Sequence, residues 1–442
     1  MRGIGAGIAV GLSVLLSTAA SGQARPRMLA LSNEWVRVGV DLNLGGAITY
    51  LSRDGGENVI NNFDLGRQVQ LSFFSGPVPY CAGEKRPAKH WEHIGWNPIQ
   101  AGDDFKHGSR VLDSRCDGRT LYVKCRPLQW PLDNVESECT FESWLELTGI
   151  VVRARARLNN ARADTTPYPA RLQELPALYA NAPFCRVVSY TGARPFAGDA
   201  LSEIGKPAGT HPWSFWLGTE NWSALLNARS FGVGLITPGR VHFTGGFAGH
   251  PGPNDTRANS CGYLAGQGEE TLDPNITYSF GYELVVGTLD EIRSRAVAVA
   301  KAALPAWTFA ADRQGWHGVN VRDAGWPIRG QLDIKLEQPD PQLVGPLTFW
   351  RAEDAPTVVI EAAHRTAHTT ATVYWQRHGQ PAPGGGDSLA FAIEPDGEFH
   401  RYVVNLSQSM NYTGGIVRLR FDPSPSGAIG DWVRIKSIRV RH

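Results

Sequence analysis

Apolar and polar positions alternate over short stretches along most of the chain. Trp35, Val36, Val38 and Val40 are followed by Leu44-Gly45-Gly46 and then Ala47-Ile48-Thr49-Tyr50-Leu51, which predicts two strands joined by a turn. Runs rich in β-branched and aromatic residues recur at 68–74, 120–125, 139–147, 149–158, 185–190, 223–226, 232–236 and 277–286. Asp, Asn, Gly or Pro clusters punctuate them. One segment has helical period instead. Thr288 and Glu291 form a Thr-x-x-Glu capping box, and Leu289, Ile292, Ala296, Val299 and Ala303 share a face until Pro305 stops the helix. The pattern predicts a long β-domain over 29–304, closed by a single helix.

Residues 305–329 carry Pro305, Gly315, Gly318, Gly325 and Pro327 without periodicity and read as a linker. Beyond it, runs at 331–336, 347–352, 357–363, 371–376, 388–393, 399–405, 416–421 and 432–441 predict a second β-module over 330–442. About eight short strands in that length fit a two-sheet β-sandwich. There is no internal repeat, and 381–386 is the one low-complexity loop.

At the start of the chain, Arg2, an apolar stretch from Ile4 to Ala20, and small residues up to Ala24 form the three-part pattern of a secretory signal. Residues 1–24 are therefore expected to be removed, and the protein to be secreted or periplasmic. No other stretch reaches the ~18 apolar residues of a membrane span, so no membrane partner is expected after cleavage. Forty-three Lys plus Arg against 42 Asp plus Glu give a net charge of +1, which leaves no basic field for nucleic acid. Fourteen Trp are many for 442 residues; flat indoles stack on sugar rings, although cores are their commoner place. Six cysteines (Cys81, Cys116, Cys125, Cys139, Cys185 and Cys261) include no C-x-x-C pair. An even count in an exported chain predicts disulfides within the larger domain, with Cys116–Cys125 as the first guess among the possible pairings. No G-x-S-x-G, H-E-x-x-H, Walker or EF-hand string is present, and no cofactor or metal is expected. Nothing in the sequence sets an oligomeric state.

Two segments resemble known families. Glu34–Val38 (EWVRV) leading to Leu44–Ile48 (LGGAI), and Tyr278–Leu284 (YSFGYEL) leading to the capped helix, resemble the first hairpin and last strand of the galactose-mutarotase-like family. The resemblance implies a twisted all-β supersandwich over 29–304 that holds a sugar in its concave face. That family includes aldose epimerases and domains of glycoside hydrolases and polysaccharide lyases. The segment from Ile393 (IEPDGEFHRY) through Leu419–Pro423 (LRFDP) resembles jelly-roll, galactose-binding-like modules, which bind glycan or merely support their neighbour. Epimerases of this superfamily use a Glu base and a His acid. His211-Pro212-Trp213 is similar to the string that often carries the acid, which makes His211 a candidate. Export, disulfides and an added sandwich depart from a cytoplasmic epimerase and favour an external polysaccharide or glycoside.

The densest polar–aromatic stretch is 90–104 (HWEHIGWNPIQAGDD), which has no strand or helix period and reads as a long loop. Carboxylates move protons, amides grip hydroxyls and indoles stack on rings. Trp96, Asn97 and Gln100 are thus expected to line a cleft, with Asp103 ionised as base or nucleophile. A surface loop pinned to the core by its indoles has the same composition. His90 and His93 are three apart but lack a third ligand at metal-site spacing. Trp130 and Asp133, in the Pro-bounded segment 126–134, suit a second wall or an ordinary turn. Glu174 interrupts the apolar run LQELPALY (172–179), where burial would raise its pKa towards that of a general acid, unless it pairs with Arg171. Glu220, between Trp216 and Trp222, is either a further carboxylate of the site or a group among core aromatics. Arg67 follows a turn and suits a substrate carboxylate or hydroxyl.

The expected function is cleavage of glycosidic bonds of an oligo- or polysaccharide, with Glu174 and Asp103 as the acid/base pair. A lyase would use His93 or Tyr179 as base, with Arg67 against the uronate carboxylate. A non-catalytic glycan-binding protein and an epimerase-like enzyme are the further alternatives.

Overall fold

The structure, a computed structural model, describes residues 26–206, 210–300 and 304–442. The expected signal, 1–24, and Ala303 of the expected helix lie outside them. Two large antiparallel sheets are built from residues 28–288, one of ten strands and one of nine. The central strands of the first are Val69–Ser72, Arg171–Asn181, Cys261–Glu270 and His242–Ala248, in that spatial order. The second is centred on Phe231–Ile236, Thr277–Thr288, Val151–Asn160 and Cys139–Thr148. Leu71, Leu178 and Leu264 of the first share one core with Phe141, Leu158 and Leu284 of the second, so the sheets stack face to face. This all-β architecture fits the galactose-mutarotase-like supersandwich.

The outer sides of the two sheets are finished differently. The Leu289–Val299 helix begins as expected: the Thr288 hydroxyl accepts from Glu291 N (3.3 Å), and Glu291 Oε2 accepts from Thr288 N (2.8 Å). Its Ile292 and Ala296 pack on Trp222, Ile236 and Val285, covering the outer side of the nine-stranded sheet. The outer side of the ten-stranded sheet instead carries Ala177, Ala265, Tyr263, Tyr179 and Trp213, a small cluster apart from the main core.

The C-terminal module consists of two six-stranded sheets around a core that includes Leu332, Val358, Trp375, Leu419 and Ile435. Two of its strands, Phe399–Asn405 and Trp432–Arg441, have the bounds the pattern predicts. The expected linker is not one. Ala306–Trp307 pairs with Trp432–Arg441, His317–Val319 with Gln342–Val344, and Arg322–Asp323 with Leu332–Lys335. Trp307, Phe309 and Trp316 are buried in the module's core. Aperiodic Gly and Pro spacing concealed strands too short to show alternation. Arg313, in the same segment, is buried between Asp323 of the module and Asp273 of the supersandwich, which binds the two halves together.

The disulfide expectation is also corrected, because all six cysteines are free thiols. Cys116 and Cys125 do share a hairpin, but Cys116 lies across from Leu121 and Cys125 across from Val111, at opposite ends of it. Burial pushes the Cys125 thiol up to about 12 and Cys139 well above its ordinary value. Among the described residues, no helix is long and apolar enough to cross a membrane.

Candidate functional site

The site is built on two strands at the middle of the ten-stranded sheet. Opposite residues of an antiparallel pair project from the same face. Between Arg171–Asn181 and Cys261–Glu270 the register sets Tyr179 against Tyr263, Ala177 against Ala265, and Glu174 against Gln267. Glu174 and Ala177 are three apart, and a regular strand would send them to opposite faces. A bulge between Glu174 and Ala177 restores the phase. Leu175 and Leu178 consequently go into the core, while Glu174 comes out beside the tyrosines. The alanines keep the floor low between them.

Glu174 is half-buried and accepts a short hydrogen bond from the Tyr263 hydroxyl. Desolvation dominates its surroundings and pushes the carboxyl above the usual carboxylate range; the Tyr263 and Ser72 hydroxyls pull the other way without cancelling it. Arg171 does not neutralise it. That guanidinium donates to the carbonyls of Ile94 (2.7 Å), Ser75 and His93, tying the 89–94 turn to the strand. The walls are aromatic. Tyr179 lies 4.7 Å from Tyr263 and Trp213 lies 4.9 Å from it, ring centre to ring centre. Burial and the nearby Glu174 carboxylate push both phenols well above their ordinary value, so they remain hydroxyl donors.

Arg67 stands at the edge of this face. Its guanidinium donates to Asn259 Oδ1 (2.6 Å), lies 3.2 Å from Asp64 Oδ2 and stacks over Phe63 at 4.6 Å. Burial outweighs Arg67 and holds the Asp64 carboxyl above its usual range. Tyr179 feels the charges of Glu174, Asp64 and Arg67 together. Trp213, Asp64 and Tyr263 were not singled out in the sequence. Tyr263 lies in CGYLAGQGEE, whose glycines obscure a strand, but its Tyr–Ala spacing of two repeats that of Ala177 and Tyr179 on the neighbouring strand.

Several expected site residues have other work. Trp96 is fully buried in the main core, with Arg162 4.9 Å from its ring. Asn97 and Gln100 are buried amides that brace backbone: Asn97 donates to Phe73 O (2.8 Å), while Gln100 accepts from Leu71 N (3.1 Å) and donates to Gly45 O. Trp130 packs edge-on against Trp91 at 5.9 Å, and it is Trp91 that presents its N–H to Asp104 (2.8 Å). Asp103, expected to be free in a polar loop, is 1% exposed. Its oxygens accept from the backbone N–H groups of Phe105, His107 and Asn134 and from the His107 ring. It fixes the loop, and a carboxylate so engaged is not presented to a substrate.

Asp133 and His93 are exposed, Asp133 beside His107 at 3.5 Å. Exposed His211 accepts from Trp213 N (3.3 Å) at the rim. Glu220 belongs beneath the helix on the opposite side of the sandwich. It is buried and takes the Arg293 fork (2.8 and 3.1 Å), the Trp222 N–H and the Phe196 N–H. The structure thus brings Glu174 and Arg67 to one face, near the rim histidine, and removes Trp96, Asn97, Gln100, Asp103 and Glu220 from it. Asp103, His107 and Asp133 bring ligand atoms within 4.8 Å of one another, as do Glu394, Asp396 and His400. Asp103 is already saturated by its loop.

No family model matches the sequence, and a search of curated proteins returns no match. Among solved structures, the chain is similar to a galactose mutarotase related enzyme from Lactobacillus acidophilus (11% identity, TM-score 0.37, 59% of this chain and 97% of that one). It is similar also to a galactose mutarotase-like protein from Lactobacillus casei (11%, 0.36, 59% and 99%). A third is the 4-alpha-glucanotransferase from Thermococcus litoralis (10%, 0.33, 60% and 38%).

Proposed function

We propose that the protein is a carbohydrate-active enzyme that cleaves glycosidic bonds, with Glu174 as the proton donor. One observation carries the reading: Glu174 is a desolvated carboxyl whose partners are hydroxyls, with no cation among the described residues, on a face lined by aromatic rings. The neutral acid is the form that can protonate a departing glycosidic oxygen near neutral pH. Tyr179, Tyr263 and Trp213 offer rings and hydroxyls to sugar, which is an amphipathic surface of the same kind. The second carboxylate of a hydrolytic pair is assigned to Asp64, because its charge and that of Glu174 both act on Tyr179. Export through residues 1–24 belongs to the same proposal and rests on the sequence.

A second reading has its own support. Glu174 faces a phenol rather than a second free carboxylate. One acid opposite one hydroxyl suits proton transfer on a hemiacetal, the reaction of an aldose epimerase. Incubation with a polysaccharide panel separates the readings: new reducing ends mark a hydrolase, ultraviolet absorbance of unsaturated products marks a lyase, and anomer exchange by NMR without cleavage marks an epimerase. Glu174→Gln should lower turnover by roughly 10²–10⁴, the range for losing general acid catalysis, with little change in melting temperature. Full activity in that variant would contradict the assignment.

A further inference from the structure

Where the end of the Cys261–Glu270 strand meets the C-terminal module there is a cavity of ≈ 460 Å³. That is within the ~300–1,000 Å³ usual for small-molecule sites. Both halves of the chain wall it: Gln267, Glu270 and Arg240 from the supersandwich, Trp307, Thr348 and Arg418 from the module. Gln267 connects this cavity to the site already described. It stands directly across from Glu174 in register, so the two side chains leave the sheet on one face, about one interstrand spacing (~4.8 Å) apart. Gln267 is 5% exposed, yet its amide has no hydrogen-bond partner among the described residues. The amide lines the cavity and is free to exchange hydrogen bonds with a ligand's hydroxyls there.

The cavity carries charges of both signs, Arg240 and Arg418 with Glu269, Glu270 and Asp312. Arg418 is held by Glu269 (3.0 Å), and Arg240 donates to the Tyr278 hydroxyl (3.2 Å). His242 is kept neutral by burial and by Arg418, its pKa pushed down to about 4. Between these charges the lining offers a ligand the Gln267 amide, the Thr348 hydroxyl and the Trp307 indole, the kinds of group that hold a sugar unit.

We infer that the cavity holds a further sugar unit of the chain whose reacting ring lies at Glu174, so that the substrate is an oligo- or polysaccharide and the C-terminal module completes the site. The inference rests on the carbohydrate reading of Glu174. It assigns the module a share in substrate binding, not only support.

The test uses the full chain and calorimetric titration with neutral gluco-, galacto-, manno- and xylo-saccharides, from mono- to hexasaccharide. Wild type should bind the longer members of one series at least about tenfold more tightly than its monosaccharide. Thr348→Trp, which fills the cavity from the module side, and Gln267→Leu, which removes the amide from the other, should each abolish that gain. Melting curves identify which variants are folded, and one folded variant suffices. A folded variant that keeps the full length dependence would overturn the inference, as would a wild type that binds no oligosaccharide more tightly than its monosaccharide. If Glu174→Gln is fully active while Thr348→Trp still loses the gain, the catalytic reading falls and the cavity subsite stands.

Discussion

Glu220 and Glu174 are both withdrawn from solvent, each near the outer side of one of the two large sheets, and their partners are opposite in kind. Glu220 lies under the helix and meets the Arg293 guanidinium, an indole N–H and a backbone N–H, so every oxygen lone pair has a donor and the charge has a counter-charge. Glu174 lies on the face with no helix over it and meets a phenol. The first arrangement gives the carboxylate a counter-charge and fastens the helix. The second leaves the carboxyl poorly solvated as an anion and therefore inclined to keep its proton. Composition and burial alone would not separate the two; the presence or absence of a cation does. Glu270 is a third case, in which burial prevails even beside a cation. It too has a phenol donor, Tyr278 (2.8 Å), and burial pushes it up to about 7 even with Arg240 near.

The largest stability effect should come from the paired glutamate. Glu220→Ala leaves Arg293 without its partner beneath the helix and should cost about 3 kcal/mol, read by chemical denaturation. Glu174→Gln should cost under about 1 kcal/mol, because no cation is orphaned. Equal losses in the two variants would erase the contrast.

A smaller effect, and one that depends on pH, is expected at Glu270. Its folded pKa of about 7 exceeds the ordinary value of 4.5, so the folded state holds a proton that the unfolded chain has released. Wild type should therefore lose stability as pH rises from about 4.5 to 7 and lose no more above that. Glu270→Gln removes this dependence. It should leave stability unchanged near pH 4 and raise it near pH 8 by up to about 3 kcal/mol. A variant less stable than wild type near pH 8 would show that the ionised carboxylate is well supported.

Much of the fold was legible in the sequence, for reasons that also explain what was not. Strands such as 399–405 and 432–441 were legible because β-branched and aromatic residues recur along them and one side of each meets a core. The helix was marked by its capping box and terminal proline. The two strands that carry the site were harder to read. Arg171–Asn181 contains Pro176 and a bulge, and Cys261–Glu270 contains three glycines, so both break the period that identifies a strand. Those are the features that lower the floor and turn Glu174 outwards. Glu174 itself was visible as a polar interruption of an apolar run. The 90–104 stretch misled because composition does not tell which way a side chain points: Trp96, Asn97, Gln100 and Asp103 have the chemistry of a sugar site but brace the interior of the sheet edge. Likewise the aromatics of 305–329 belong to the second module's core, so a truncation that leaves a soluble first domain must remove them as well.

The central claim is that Glu174 is a neutral acid at the pH of catalysis. Infrared difference spectra between wild type and Glu174→Gln, recorded across a pH titration, read its protonation directly. The protonated-carboxyl band assigned to Glu174 should persist in wild type at pH values above the ordinary glutamate pKa of 4.5 and be absent from the variant. A difference spectrum that shows only an ionised carboxylate down to about pH 4 would contradict the account.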